Sequence, residues 1–406
     1  MSSNPFRALQ QHKNFRLFWF GQTLSLVGSW MQTMAQGWLA LELSDSPLMV
    51  GLVAAASSLP IVLLSVAAGI LVDRSDKLRL VTIAQTLLLI EAAALWGFTL
   101  SGHITVAWLV TLAAVAGVVQ AFEIPARQSL VIELVGREHL RSAIALNSTG
   151  FNLGRIVGPS LAAFVIARAG IAWCFGVNAL SYLAVLVGLL LIRLPPQLTP
   201  PAPEAPPLEG IREGIRYIRE TPLVRALIRL IAVYAVLGAP YLALMPVVAR
   251  DMLGLGPGGY GLLLACIGIG GLTGALWLAG RGDLERGRGQ LLAQASFAFA
   301  SLLVAFSFVR IGYVAYVFLL AIGFTMIVTN AVSNALLQHI IPDEMRGRIM
   351  AAYSFIVVGL SQTIGAFGAG AVARFVGVQW AIGGAAAAML AYAVWSFRRL
   401  PELTTA

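Results

Sequence analysis

The chain is predicted to be an all-α integral membrane protein of twelve transmembrane helices in two pseudo-symmetric six-helix bundles. Three observations predict this: long stretches without charge, a one-sided distribution of Lys and Arg, and landmarks repeated between the two halves. Residues 17–41, 46–72, 92–122, 171–192, 230–249, 252–280, 289–309, 311–338, 349–373 and 375–397 contain no Asp, Glu, Lys or Arg. Two more apolar stretches carry one charge each, 80–102 with Glu91 and 142–167 with Arg155. A hydrocarbon core of about 30 Å takes about 20 helical residues. The run 92–122 is therefore too long for one pass, and the polar turn Ser101-Gly102-His103 divides it.

Orientation follows from the bases. If the passes alternate from the N-terminus, only Arg168, Arg250, Arg310 and Arg374 of the 27 Lys and Arg residues fall on the far side, with Arg155 inside a pass. Basic loops stay in the cytoplasm, so both termini are expected there, in a bacterial inner membrane. With 59% hydrophobic and 11% charged residues, a soluble protein is excluded. The net charge of +9 reads as this loop asymmetry and attraction to anionic membrane lipids, with no nucleic acid implied. The two cysteines, Cys174 and Cys266, lie in separate predicted passes and suggest neither a disulfide nor a metal site. Residues 1–16 read as a lead-in to the first pass with no cleavable signal.

Six passes occupy 1–192 and six occupy 223–406, with a cytoplasmic linker at 193–222. The linker opens with a proline-rich run from Pro195 to Pro207, which cannot hold a helix. It then places Ile211, Ile215 and Ile218 on one face beside Arg212, Arg216 and Arg219, the pattern of an amphipathic helix on the membrane surface. A shift of 210 residues carries Gly28 onto Gly238, Ser46-Pro47 onto Gly256-Pro257, Gly51-Leu52 onto Gly261-Leu262, Asp73 onto Asp283 and Gln128 onto Gln338. Parallel repeats of this kind build transporters with a substrate site near the midplane.

Two motifs sharpen the reading. Gly69-Ile-Leu71-Val-Asp73-Arg74-Ser-Asp76-Lys77-Leu78-Arg79 ends the second pass. Gly would allow a close helix approach there, and Asp73 would pair with bases as part of a gating latch with Arg74, Lys77 and Arg79. Glu123 and Arg127, at the inner end of the fourth pass, are expected to join it. Gly154-Arg155-Ile-Val-Gly158-Pro159 in the fifth pass would bend that helix and seat a neighbour. The first motif resembles the loop signature G-x-L-A-D-R-x-G-R-K of the major facilitator superfamily. The second resembles the antiporter motif G-x-x-x-G-P-x-x-G-G of that superfamily, with Ala162-Ala163 in place of the last two glycines. Gly28-Ser-Trp30-Met31-Gln32, Glu123-Ile-Pro125-Ala126-Arg127-Gln128 and Ala145-Leu146-Asn147-Ser148 are similar to the enterobactin-exporter and macrolide-efflux branch. The resemblance implies the major facilitator fold and proton-driven export of a bulky organic compound. Import, or lipid or lysolipid flipping, is the alternative on the same fold. The basic residue that drug antiporters carry inside the fourth pass is missing, since Thr111–Phe122 holds no charge.

Charges inside a pass are functional candidates. Glu91 and Arg155 lie at similar depth, with Glu91 as proton carrier and Arg155 tuning it or holding an anionic substrate. A structural pair is the competing account, and Glu42 is a further candidate for proton entry. In the first pass Gln22, Ser25, Ser29, Gln32, Thr33 and Gln36 form one polar face, which must turn away from lipid. Asn147, Asn152, Tyr234, Tyr241, Thr325, Thr329, Asn330 and Gln362 complete a candidate cavity, with Pro240 and Pro246 bending the seventh pass. Amid Met31, Met34, Trp38 and Phe324 these groups suit an amphipathic organic ligand; hydrogen bonds between helices are an equal use for each of them. The glycines from Gly261 to Gly274 are packing residues. No strand precedes them and no Lys-Ser or Lys-Thr follows, so they form no phosphate loop. The four histidines sit at membrane edges, which argues against an embedded enzyme. No metal or cofactor is implied, and a monomer is expected.

Overall fold

The computed structural model describes residues 6–193, 207–281 and 287–405. Most of the proline-rich run, together with Asp283 and Arg286, lies outside these residues. Every regular element described is helical. After a short helix at Arg7–Gln11 come α1 (Lys13–Ser44), α2 (Pro47–Asp73), α3 (Lys77–Leu100), α4 (Val106–Ala169), α5 (Ala172–Leu191) and α6 (Pro207–Glu220). Then follow α7 (Pro222–Leu242), α8 (Pro257–Gly280), α9 (Arg288–Phe306), α10 (Gly312–Ile340), α11 (Asp343–Val376) and α12 (Val378–Arg399).

Ten of these helices are long and apolar enough to cross a membrane. The exceptions are α6 and α1. The polar face of α1 dilutes its hydropathy although the helix has 32 residues. The helix α4, with 64 residues, carries two passes, which meet at Gly136 with φ +67°. Only a residue without Cβ adopts that conformation cheaply, so Gly136 is where the chain turns. The connection expected between the fourth and fifth passes is therefore helical on both sides of one residue. Counting α1 and both halves of α4 gives twelve passes in a multi-pass membrane protein.

Two compact units divide the chain. The first holds Met1–Ser44 and Ala56–Pro203, the second Asp45–Ala55 and Glu204–Ala406. The opening turns of α2 thus belong to the second unit, where Arg250 pairs with Asp45 and Asp251 at 2.5 and 2.6 Å. In that unit α6 has a protein neighbour. Glu213 pairs with Arg348 at 2.6 Å and Gly214 lies against the same arginine, which docks α6 on the first turns of α11.

Small residues set the packing. A Cβ on Gly158 would fall 2.6 Å from Trp30 Cβ and 2.8 Å from the Val27 carbonyl oxygen, and one on Gly154 would fall 3.0 Å from Trp30 Cδ1. The glycine motif of the fifth pass is the seat of α1. The units share another crossing. Gly117 of α4 faces the Ser57 carbonyl of α2, and Gly323 of α10 faces the Ile267 carbonyl of α8, with virtual Cβ–oxygen distances of 2.3 and 2.2 Å. Ser57 and Ile267 are themselves related by the 210-residue shift. Gly69 contradicts the expectation of a close approach: a Cβ there would meet nothing within 4 Å.

Proline explains the broken path of the seventh pass. Pro240 cannot donate to the carbonyl four residues back, nor can Pro246. The chain widens to a π-turn at Tyr234–Gly238, tightens to a 3-10 turn at Ala239–Leu242, and widens again at Val248–Met252. A third π stretch, Phe355–Gly365, lies inside α11.

The N-terminal helix is tied to α4. The Ala8 N–H donates to Ser142 Oγ at 3.2 Å, and His12 Nε2 meets His139 Nδ1 at 3.1 Å. Burial and the His139 imidazole hold the His12 pKa below the ordinary histidine value, against a smaller upward pull from Glu138. A base with a lowered folded pKa contributes stability above its unfolded pKa of about 6.5, lost as acid charges the ring. The amide protection factors of Arg7–Gln11, that is, exchange corrected for its intrinsic pH dependence, are therefore expected to fall between pH about 7.5 and about 5, and His139→Gln is expected to flatten that dependence. Thermal melts in detergent check the glycine contacts. Gly158→Ala is expected to cost about 1–3 kcal/mol through overpacking, whereas Gly69→Ala is neutral or slightly stabilising.

Candidate functional site

The polar groups of the first unit converge on α1. Gln22, Ser25, Gln32 and Gln36 are buried, Ser29 is half-buried, and Thr33, at the edge of the stripe, is exposed and bonded back to the Ser29 carbonyl. Steps of three and four residues put this row on one helical face. The Gln32 amide donates from Nε2 to both oxygens of Glu91 on α3, at 3.0 and 3.3 Å. Its Oε1 accepts from Asn178 Nδ2 on α5 at 2.8 Å. Asn178 Oδ1 lies 3.1 Å from Ser181 Oγ, which is also 2.7 Å from the Asn178 carbonyl oxygen. Gly28 makes room for these heads: a Cβ there would fall 2.5 Å from both Asn178 Oδ1 and Ser181 Oγ. Beside them Ser29 Oγ meets Tyr182 OH at 3.2 Å.

A second buried carboxylate lies further along the same bundle. Glu123 is 4% exposed; it accepts from Arg127 Nε at 2.9 Å and from Gln85 Nε2 at 3.0 Å. Gln85 also reaches Gln22 Oε1 at 3.5 Å. Tyr182 lies within electrostatic reach of both Glu91 and Glu123. The two acids differ in one respect. Glu123 has a cation, and Glu91, 3% exposed, is held by a neutral amide.

Several expected partnerships are absent. Arg155 makes no ion pair with Glu91, because equal depth along two helices does not bring their faces together. Asp73 is exposed and pairs with none of Arg74, Lys77 and Arg79. Instead Lys77 Nζ caps the end of α2 by donating to the Asp73 and Ser75 carbonyls, and Asp76 caps α3 at the Arg79 N–H. Glu123 joins Arg127 as expected, but not Arg74. Glu42 is exposed and accepts from Trp38 Nε1. Pro159, next to Gly158, is buried.

The remaining candidates are spread more widely. Asn147 is half-buried, and Asn152 bonds to the Ser148 carbonyl of its own helix. In the second unit Tyr234 donates to the Ser296 carbonyl at 2.9 Å and Tyr241 lies 3.8 Å from Met326 Sδ, both buried. Thr325 bonds within α10, the Asn330 carbonyl accepts from Tyr353, and Gln362 is exposed. Gln36 Nε2 and Thr329 Oγ1 are buried without a hydrogen-bond partner. A cleft of about 610 Å³ in the second unit is lined by Arg288, Asn334, Gln338, His339 and Arg346.

Two bundles of repeated helices, one with a polar interior holding an acid without a cation, define a secondary transporter rather than an enzyme. The transmembrane secretion effector profile matches residues 3–406, and the chain belongs to that family of major facilitator transporters. The multidrug efflux pump Tap of Mycolicibacterium fortuitum is 27% identical over 343 residues, covering 82% of this chain and 83% of Tap. The enterobactin exporter EntS of Shigella boydii serotype 18 is 25% identical over 342 residues, covering 84% of this chain and 81% of EntS. Among solved structures, an inward-facing, occupied bacterial homologue of the human lysosomal transporter Spinster matches over 100% of both chains, with TM-score 0.74 and 13% identity. A bacterial homologue of the iron transporter ferroportin matches 97% of this chain and 99% of that chain, with TM-score 0.71 and 16% identity. These structures share the fold.

Removing the cation from Glu123 is expected to destabilise the first unit. Arg127→Met leaves a buried carboxylate unpaired, which costs about 3–5 kcal/mol, and adding Glu123→Gln is expected to restore most of the loss. A double-mutant cycle on melting midpoints measures it.

Proposed function

We propose that the chain is a proton-coupled exporter of a bulky, amphipathic organic compound, working by alternating access. In this reading it acts as a monomer in a bacterial inner membrane, among anionic lipids, with both termini in the cytoplasm. The observation that carries the proposal is the environment of Glu91. An ionised carboxylate inside a membrane bundle is costly without a cation, and Glu91 meets an amide. A proton is the smallest species that neutralises it, and it can be taken up and released as access alternates.

Export is supported by the relatives, a multidrug efflux pump and an enterobactin exporter. The basic loops support the orientation. The buried, unpartnered Gln36 amide and Thr329 hydroxyl are candidate substrate contacts, because a ligand would relieve the penalty of leaving them unpaired. Asp73 with its neighbouring bases, and Gly154, Gly158 and Pro159, serve gating and packing in this scheme.

The test begins with a thermal-shift screen of siderophores, macrolides and lysolipids on purified protein. A ligand found there is loaded into proteoliposomes with an imposed pH gradient. In Glu91→Gln, a permanent stand-in for the protonated acid, ligand binding and equilibrium exchange are expected to persist while gradient-driven accumulation disappears. Concentrative transport at the wild-type level by Glu91→Gln would refute the assignment.

A further inference from the structure

We infer that Gln32 and Asn178 form a reversible hydrogen-bond relay that carries the protonation state of Glu91 from α3 across α1 to α5. The inference rests on the reading of Glu91 as proton carrier and adds two positioning residues to it. The argument is an accounting of donors and acceptors. An ionised carboxylate only accepts, so the Gln32 NH₂ must face Glu91. The Gln32 carbonyl then faces α5 and needs a donor, which Asn178 Nδ2 supplies at 2.8 Å. Asn178 Oδ1 is left as an acceptor beside Ser181 Oγ at 3.1 Å. One charge on α3 fixes the direction of every bond in the chain.

Protonation reverses each bond with the heavy atoms in place. Protonated Glu91 becomes a donor and asks for the Gln32 carbonyl. A rotation of that amide by half a turn supplies it, because amide O and N are nearly the same size. The Gln32 NH₂ now faces Asn178, whose amide turns in the same way to accept. Its own NH₂ then meets Ser181 Oγ. The chain ends there cleanly, since Ser181 has a second acceptor, the Asn178 carbonyl oxygen at 2.7 Å, to take its hydrogen. Both states keep Glu91, Gln32, Asn178 and Ser181 joined by a hydrogen bond at each link, which is the condition for a buried network to hold two arrangements of similar energy. No proton leaves Glu91 along the relay; only bond polarity changes.

Gly28 fits this role, because the open space at its Cα holds the Asn178 and Ser181 heads that must turn. The other ionisable groups near Glu91 are Tyr182 on α5 and, beyond it, Glu123 with Arg127 on α4. None of them bonds to Glu91, so the amide of Gln32 is the group that senses its charge.

The test uses full-length protein in lipid nanodiscs, without substrate, by pH-difference infrared spectroscopy. The carboxylic C=O stretch of protonated Glu91 is identified by its loss in Glu91→Gln. The relay predicts that side-chain amide bands change with the same midpoint as that stretch. In Gln32→Met the carboxylic band persists and the amide bands disappear; in Asn178→Leu only the contribution of Gln32 remains. Gradient-driven transport by Gln32→Met is expected to fall about tenfold or more, the loss of one hydrogen bond to a charged group. A wild-type carboxylic band with no amide change, or amide bands that survive Gln32→Met, overturns the relay. Absence of any carboxylic band that Glu91→Gln removes overturns the proton-carrier reading itself.

Discussion

Helices in a bilayer gain nothing by hiding apolar side chains from one another, because lipid tails are as apolar as leucine. What remains to hold them together is close backbone contact and the satisfaction of polar groups. Both are concentrated on α1. Its Trp30 face is pressed onto Gly154 and Gly158, and its glutamine face binds α3 and α5. The second unit uses the first device at Gly323 and the α8 backbone.

The same constraint separates the two buried acids. Glu123 is neutralised by Arg127 one helical turn away and belongs to the frame of the bundle. Glu91 is left to an amide, which can serve either charge state. A bundle that must move needs one polar group whose best partner is conditional, and amides are the side chains whose donor and acceptor ends exchange without a change of shape.

Much of this was legible in the residues. Charge-free runs of about 20 residues mark the passes because water-free hydrocarbon leaves the chain no alternative. The polar row on α1 and the lone acid at 91 stand out for the same reason. Azimuth was not legible. Glu91 and Arg155 share a depth, but depth says nothing about which way a helix face turns. Asn178, Ser181 and Gln85 are hidden within apolar runs, although a single amide in an uncharged pass is the same signal as Gln32. The tie between His12 and His139 joins residues 127 positions apart, and no local pattern announces it. Pro240 and Pro246 foretold a bend, but not that the seventh pass would widen into π-turns on either side of a tight one.

The carbonyl contacts at Gly117 and Gly323 also bear on how such a chain can diversify. A virtual Cβ little more than 2 Å from backbone oxygen leaves no room for any side chain, and backbone cannot be trimmed to make space. Variation in what the protein handles must therefore enter elsewhere. The α1 row outside Gln32 is suited to it, since swaps among Gln, Ser and Thr change hydrogen-bonding pattern and volume while the crossings stay closed. Directed libraries that randomise the crossings would mostly return unfolded chains, and those confined to the row would keep the scaffold and alter its interior.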